Sequence, residues 1–407
     1  MRETPGARWA CFAVSMAGYL ALITYILAVN PPLWYDEFTY LEYIPQLHQL
    51  GLTTTWLRTI LGSAGPLFGL VHAAFEPLTG LVAPGVRLVS IGLAGGSALA
   101  IGSALRSRGV PHAFLKAAGL FAVPILYGPI GTAMTEMPAM FFFCVSLALL
   151  FPALERAERG DRSAYPLAIL AGLACGVATT GRQPYLMATV ASVALLGRST
   201  WKVGLLFAIS GLVLPVPMFL IWGGLVPPRS QSGEVGISVA NCLVAFAYAG
   251  VLYSLFDVGW ILRRPLTFAV IVAATTAANV ATGFAEHYPL HVTAIRNLSP
   301  TVLRLYGLTA SGVMLGFGVA FVAELARFAR DRLDDPADRF VVAATALLLL
   351  STIKNARMFP GRYIATVVPL LLILGVRRAP DTYGKAVRLA VGCILGMISL
   401  AAYFKKI

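Results

Sequence analysis

The chain has 407 residues, of which 58% are hydrophobic and only 12% charged, where a soluble globular protein carries roughly a quarter charged residues. That excludes a water-soluble enzyme. Its 31 Lys and Arg against 18 Asp and Glu give a net charge of +13, but the cations lie mostly in short loops between apolar runs, where they set orientation in a bilayer and imply no nucleic-acid partner.

A bilayer crossing takes about 20 predominantly apolar residues. In chain order the apolar runs predict thirteen helices, at about 9–29, 84–105, 113–128, 135–153, 164–180, 185–197, 203–222, 236–258, 265–284, 301–325, 340–353, 361–376 and 387–403. The expectation is therefore an all-α polytopic membrane protein, one transmembrane domain over residues 1–407, with no separate soluble domain. The first run is too long for the apolar core of a signal peptide and reads as a retained span. The break at Gly181 to Pro184 reads as a kink or re-entrant element, because interrupted spans survive only where protein or a water-filled cavity receives the freed backbone groups. With the N-terminus cytoplasmic, 20 Lys and Arg fall inside and 11 outside. This bias obeys the positive-inside rule. It puts the long 30–82 loop, Lys405 and Lys406 on the outer face. The five cysteines lie in or beside apolar runs without a pairing pattern and read as core residues.

Directly after the first helix comes NPPLWYDEFTYLEY, residues 30–43. Pro31 and Pro32 stop the helix, leaving Asp36 and Glu37 among aromatic side chains at the outer interface, where a lowered dielectric makes a carboxylate a better base. The competing reading is a helix cap within an ordinary aromatic belt. The rest of the loop, including LTTTWLRTILGSAGPLFGLVH, predicts one or two amphipathic helices on the membrane surface.

The exceptions to the charge rule are outside. Lys354, Arg357 and Arg362 fall within nine residues in STIKNARMFPGRYIATVVP, and Arg182 sits at another outer break in TTGRQPYL. Such cations suit a phosphate headgroup, which guanidinium forks grip with bidentate charge-assisted bonds; snorkelling to ordinary lipid headgroups is the alternative. A base and a phosphate clamp on one face suit transfer of a group from a lipid phosphate to a hydroxyl acceptor. Adjacent carboxylates cannot flank a glycosidic bond from opposite sides, so single displacement with inversion fits best.

These residues resemble the GT-C superfamily of integral-membrane glycosyltransferases, which use polyprenyl-phosphate sugars. PGVRLVSIGLAG at 84–95 is similar to the Arg-Leu motif opening the second helix, and GTAMTEMPAMFFF at 131–143 to the short acidic outer loop before helix four. YDEFTYLEYIPQ, Trp56, Gly65-Pro66, GRQPYL and GRYIATVVP are most similar to the dolichyl-phosphate-glucose α-1,2-glucosyltransferases, from which Phe38-Thr39 and the shorter chain depart. The resemblance implies a GT-C-like bundle with an amphipathic outer loop after helix one, acting on the periplasmic, extracellular or luminal face of a cell membrane. A sugar would pass from a polyprenyl-phosphate donor to a glycan, lipid or protein acceptor. Asp36 would be the base and Glu37 would orient a substrate. Arg182, Lys354, Arg357 and Arg362 would bind the donor phosphate with Tyr363 beside it. Trp34, Tyr40, Glu136 and Arg296 would line the cavity. No cofactor motif is present, and a divalent cation is left open.

Other signals carry less. His287 and His291 stand four apart beside Glu286, but Pro289 between them opposes a helical metal pair. His48 and His72 have no partner at useful spacing. Arg296 and Glu234 are expected outside. A transporter or flippase of an anionic or polyprenyl-linked lipid is the alternative function, although such proteins are commonly built from repeated halves and no repeat is visible. A non-catalytic scaffold is the third.

Overall fold

A computed structural model describes residues 3–34, 36–60, 64–197, 199–231, 236–286, 299–331, 334–354 and 361–405, the Arg362 side chain excepted. All thirteen predicted runs are helical, and the described residues contain no strand. The protein is an all-α, multi-pass membrane protein, with ten helices among the described residues long and apolar enough to cross a bilayer. They are α1 (Pro5–Val29), α6 (Gly85–Ser107), α9 (Glu136–Glu158), α10 (Ala164–Gly181), α12 (Trp201–Trp222), α13 (Val239–Phe256), α14 (Pro265–Thr282), α15 (Pro300–Asp331), α16 (Pro336–Lys354) and α18 (Tyr383–Phe404).

The other three predicted spans are short or broken. Ala113–Ala122 (α7) and Pro124–Gly131 (α8) are bent by 68° at Val123, whose extended backbone precedes a proline, as the clash with a proline ring requires. Residues 183–195 form α11 (Leu186–Ala191) between two 3₁₀ turns, after Arg182 leaves the helical conformation at φ −143°. The last, α17 (Tyr363–Val376), is also short. Residues 124–126 pack against 361–367, so two of these interruptions meet.

One end of the bundle is tied by ion pairs. Arg108 after α6 lies 2.9 Å from Glu158 at the end of α9 and 2.8 Å from Asp335 before α16, and Arg377 after α17 lies 2.7 Å from the same Asp335 and also pairs with Asp338. Burial alone would raise the Asp335 carboxyl, but the Arg377 and Arg108 guanidiniums hold it down at about 2. Arg263 and Arg378 share Glu324 in the same way.

The loop after α1 opens with α2 (Asp36–Leu41) and α3 (Tyr43–Leu50); between Gln46 and Gly80, where one or two surface helices are expected, lie α4 (Thr54–Thr59) and α5 (Leu67–Thr79). The four bury their own apolar core of Tyr40, Tyr43, Ile44, Trp56 and Phe68. Polar groups inside it are matched: the Trp56 indole donates to the Tyr43 carbonyl at 3.1 Å. The core is docked on the bundle by the Trp222 indole, which donates to the Leu57 carbonyl at 2.9 Å. Closer still is Gly65, whose amide donates to the Gly181 carbonyl at 3.3 Å. A Cβ on Gly65 would stand 1.8 Å from the Thr180 carbonyl oxygen, and backbone cannot swing aside as a side chain can. Gly65→Ala is accordingly expected to undock the loop at a cost of about 1–3 kcal/mol; an unchanged melting temperature in detergent would show that the contact yields.

His72 of α5 is the exception in that core. It is fully buried against the Phe68 ring at 4.2 Å, with neither ring nitrogen hydrogen-bonded, and burial pushes it down to about 4 from its ordinary 6.5. The unfolded chain therefore takes up this proton first, so stability falls as pH drops from about 6.5 towards 4 and levels off below. The whole effect is about 3 kcal/mol. His72→Phe keeps the ring and removes the titration: its melting temperature should lose that pH slope and exceed wild type at pH 5. An equal slope in both proteins would place the titration elsewhere. His48, in contrast, does have a partner, Glu76 at 2.6 Å, 28 positions on and one helix away.

Candidate functional site

The site begins where α1 stops. Asn30 takes a left-handed conformation, φ 34°, and its amide caps the helix by donating to the Ile26 carbonyl at 3.1 Å. Pro31 and Pro32 follow, and Asp36 and Glu37 open α2, where the helix dipole favours negative charge. Asp36 is half-buried and Glu37 fully buried.

Glu37 is locked. Arg87, fully buried in the first turn of α6, donates from Nε to Oε1 at 2.9 Å and from Nη2 to Oε2 at 2.8 Å. It also donates to the carbonyls of Pro31 at 2.7 Å and Pro32 at 3.0 Å, and lies over the Phe404 ring. Glu37 accepts further bonds from the amides of Ala133 at 2.9 Å and Trp34 at 3.1 Å. Glu37, expected to orient the acceptor or donor, is held in a knot that fixes the turn carrying Asp36. An arginine alone at the outer end of an apolar span was the available signal for Arg87.

From Ala133 the path continues through Thr135 to Glu136, the first residue of α9. Glu136 Oε1 lies 3.0 Å from Nη2 of Arg182, with both side chains at most 4% exposed. The Arg182 guanidinium stands over the Tyr363 ring at 5.3 Å. The Asp36-Glu37 turn is thereby joined to Glu136, Arg182 and Tyr363 by the Glu37–Ala133 hydrogen bond, the chain from Ala133 to Glu136, the Glu136–Arg182 ion pair and the Arg182–Tyr363 ring contact. Gly65 docks on Gly181 immediately before Arg182, which brings the loop to the same point.

The remaining predicted residues are placed differently. Tyr40 is 6% exposed and packs on Phe68 and Tyr43 in the loop core. The Trp34 side chain is exposed. Lys354 is exposed at the end of α16, next to Ile353, whose carbonyl accepts from the Ser238 amide at 2.8 Å. Arg357, Arg296, Glu234, His287, His291, Lys406 and the Arg362 side chain lie outside the described residues. Among the described residues no group of three or more His, Cys, Asp or Glu is arranged to hold a metal ion.

No protein-family profile and no curated protein matches the chain. Among solved structures, an oligosaccharyltransferase of Archaeoglobus fulgidus, crystallised tethered through a disulfide bond to an acceptor peptide with the NVT sequon, is similar at 13% identity and a TM-score of 0.37. The match covers 89% of this chain and 55% of that one, so the chain spans about half the length of that protein. A likeness at that identity and score says nothing of this chain's chemistry.

Proposed function

We propose that this protein is an inverting glycosyltransferase of the GT-C type, moving a sugar from a polyprenyl-phosphate donor to a hydroxyl acceptor at the outer membrane face. The observation that carries the reading is the contact path from the Asp36-Glu37 turn through Ala133 and Glu136 to Arg182 and Tyr363. In the proposed step Asp36 takes the acceptor hydroxyl proton as that oxygen bonds to the anomeric carbon. The carbon–oxygen bond to phosphate breaks with its electron pair leaving on the polyprenyl phosphate. Arg182 stabilises that charge, and Lys354, Arg357 and Arg362 are proposed as further cations for the same phosphate. The narrower likeness to dolichyl-phosphate-glucose enzymes gains nothing from the comparisons, and the acceptor is a glycan, lipid or protein.

The inner ion pairs support an enzyme over a carrier. They join the cytoplasmic ends of α6, α9, α16 and α17, which an alternating-access path would have to part.

The test is to present purified protein in vesicles with radiolabelled polyprenyl-phosphate sugars and a panel of hydroxyl acceptors. Sugar transfer that Arg182→Gln slows by about a hundredfold to a thousandfold, as for a lost oxyanion donor, is the expected result. Movement of intact lipid between leaflets with no transfer would overturn it in favour of a transporter.

A further inference from the structure

Two buried carboxylate–arginine pairs lie near one another at the outer end of the bundle, and they are built differently. In the Glu37–Arg87 pair two N–H groups each donate to a separate carboxylate oxygen, and the rest of the guanidinium is spent on backbone carbonyls. In the Glu136–Arg182 pair the charges are 3.0 Å apart, yet no N–H of Arg182 is directed at that oxygen. Nη1 reaches the Thr135 hydroxyl at 3.5 Å, and Nε has no acceptor among the described residues. A guanidinium carries five N–H donors, and buried donors are ordinarily satisfied. The donor set of Arg182 is thus larger than what its partners among the described residues use, and it suits the non-bridging oxygens of a phosphate.

We propose that Glu136 is a placeholder for phosphate. While the site is empty its carboxylate balances the Arg182 charge, and when the lipid phosphate engages Arg182, Glu136 moves aside. This inference rests on the transfer reading and deepens it by making Glu136 a residue that sets phosphate affinity. The displaced carboxylate has a place to go. Glu136 is the first residue of the 23-residue α9, whose N-terminus favours negative charge, and the Thr135 hydroxyl is 3.4 Å from its other oxygen. Competition of this kind favours turnover, because the polyprenyl phosphate left after transfer carries more charge than the donor and would otherwise hold Arg182 longer.

The experiment measures the Kd of a polyprenyl phosphate for the detergent-solubilised protein and for Glu136→Gln, Arg182→Gln and the double variant. Glu136→Gln should bind at least tenfold tighter, and Arg182→Gln should abolish that gain in the double variant. A carboxylate that merely braces the fold would give weaker or equal binding, which in a protein with a normal melting transition overturns the placeholder. Should Glu136→Gln fail to fold, Glu136→Asp, one methylene shorter and still charged, retracts from Arg182 and is expected to tighten binding in the same direction; equal or weaker binding there also overturns it. If Arg182→Gln binds the lipid as well as wild type does, the phosphate assignment of the transfer reading falls as well. If Arg182→Gln loses binding but neither Glu136 variant tightens it, only the placeholder falls.

Discussion

Asp36→Asn is expected to lower kcat for sugar transfer by about a hundredfold to ten-thousandfold, the range that a positioned general base contributes, while the Kd for the donor stays close to wild type. The substitution is isosteric, and the turn that carries it is held by bonds not made by Asp36: Arg87 to Glu37, Pro31 and Pro32, and Glu37 to the Ala133 amide. At the first turn of α2 it removes a half-buried charge whose interaction with the helix dipole is worth about 0.3–1 kcal/mol. A loss of rate with donor affinity retained therefore isolates proton removal from folding and from binding. Single-turnover kinetics at saturating donor provide the measurement. Wild-type turnover in the variant would remove Asp36 from the chemistry and leave Glu136, the carboxylate on that path outside the Arg87 knot, as the group to examine.

The membrane architecture was legible because the bilayer imposes one dominant rule, a run of apolar residues for each crossing, and all thirteen runs are helices. What that rule does not register is length against interruption. Val123-Pro124 sits inside an apolar stretch, so hydropathy counts it within one crossing although the backbone bends there, whereas the Gly and Pro at 181–184 announced the other interruption. Asp36, Glu136 and Arg182 were legible for the converse reason: ionisable groups at membrane level are rare and stand out. The burial of Tyr40 in the loop core was not legible, because an aromatic beside an acidic pair looks the same whether it faces a cavity or a loop core. Only the fold of α3 to α5 around Trp56 and Phe68 decides between them. The clamping role of Arg87 was hidden because its partner lies 50 positions away, and no local pattern couples the start of one span to the loop after the previous one.

Arg87→Met is expected to give the largest loss of stability, about 3–5 kcal/mol, because it leaves Glu37 charged and without its cation in a fully buried position. The methionine fills comparable length against the Phe404 ring, so packing alone does not account for a loss of that size. Three bonded segments depend on the guanidinium at once, Pro31-Pro32, Glu37 and, through Glu37, Ala133. Arg87→Lys keeps the charge but has no planar fork to serve both carboxylate oxygens and two carbonyls together, and should fall between wild type and Arg87→Met. The double variant Arg87→Met/Glu37→Leu removes the stranded charge and should recover much of the melting temperature, since a buried ion pair replaced by apolar groups of similar volume is often no less stable. Its transfer rate should nevertheless stay low, because the turn carrying Asp36 is then tied neither to α6 nor to the amide before α9. Recovery of both stability and rate in the double variant would show that the knot serves the fold alone and that Asp36 is positioned by other contacts.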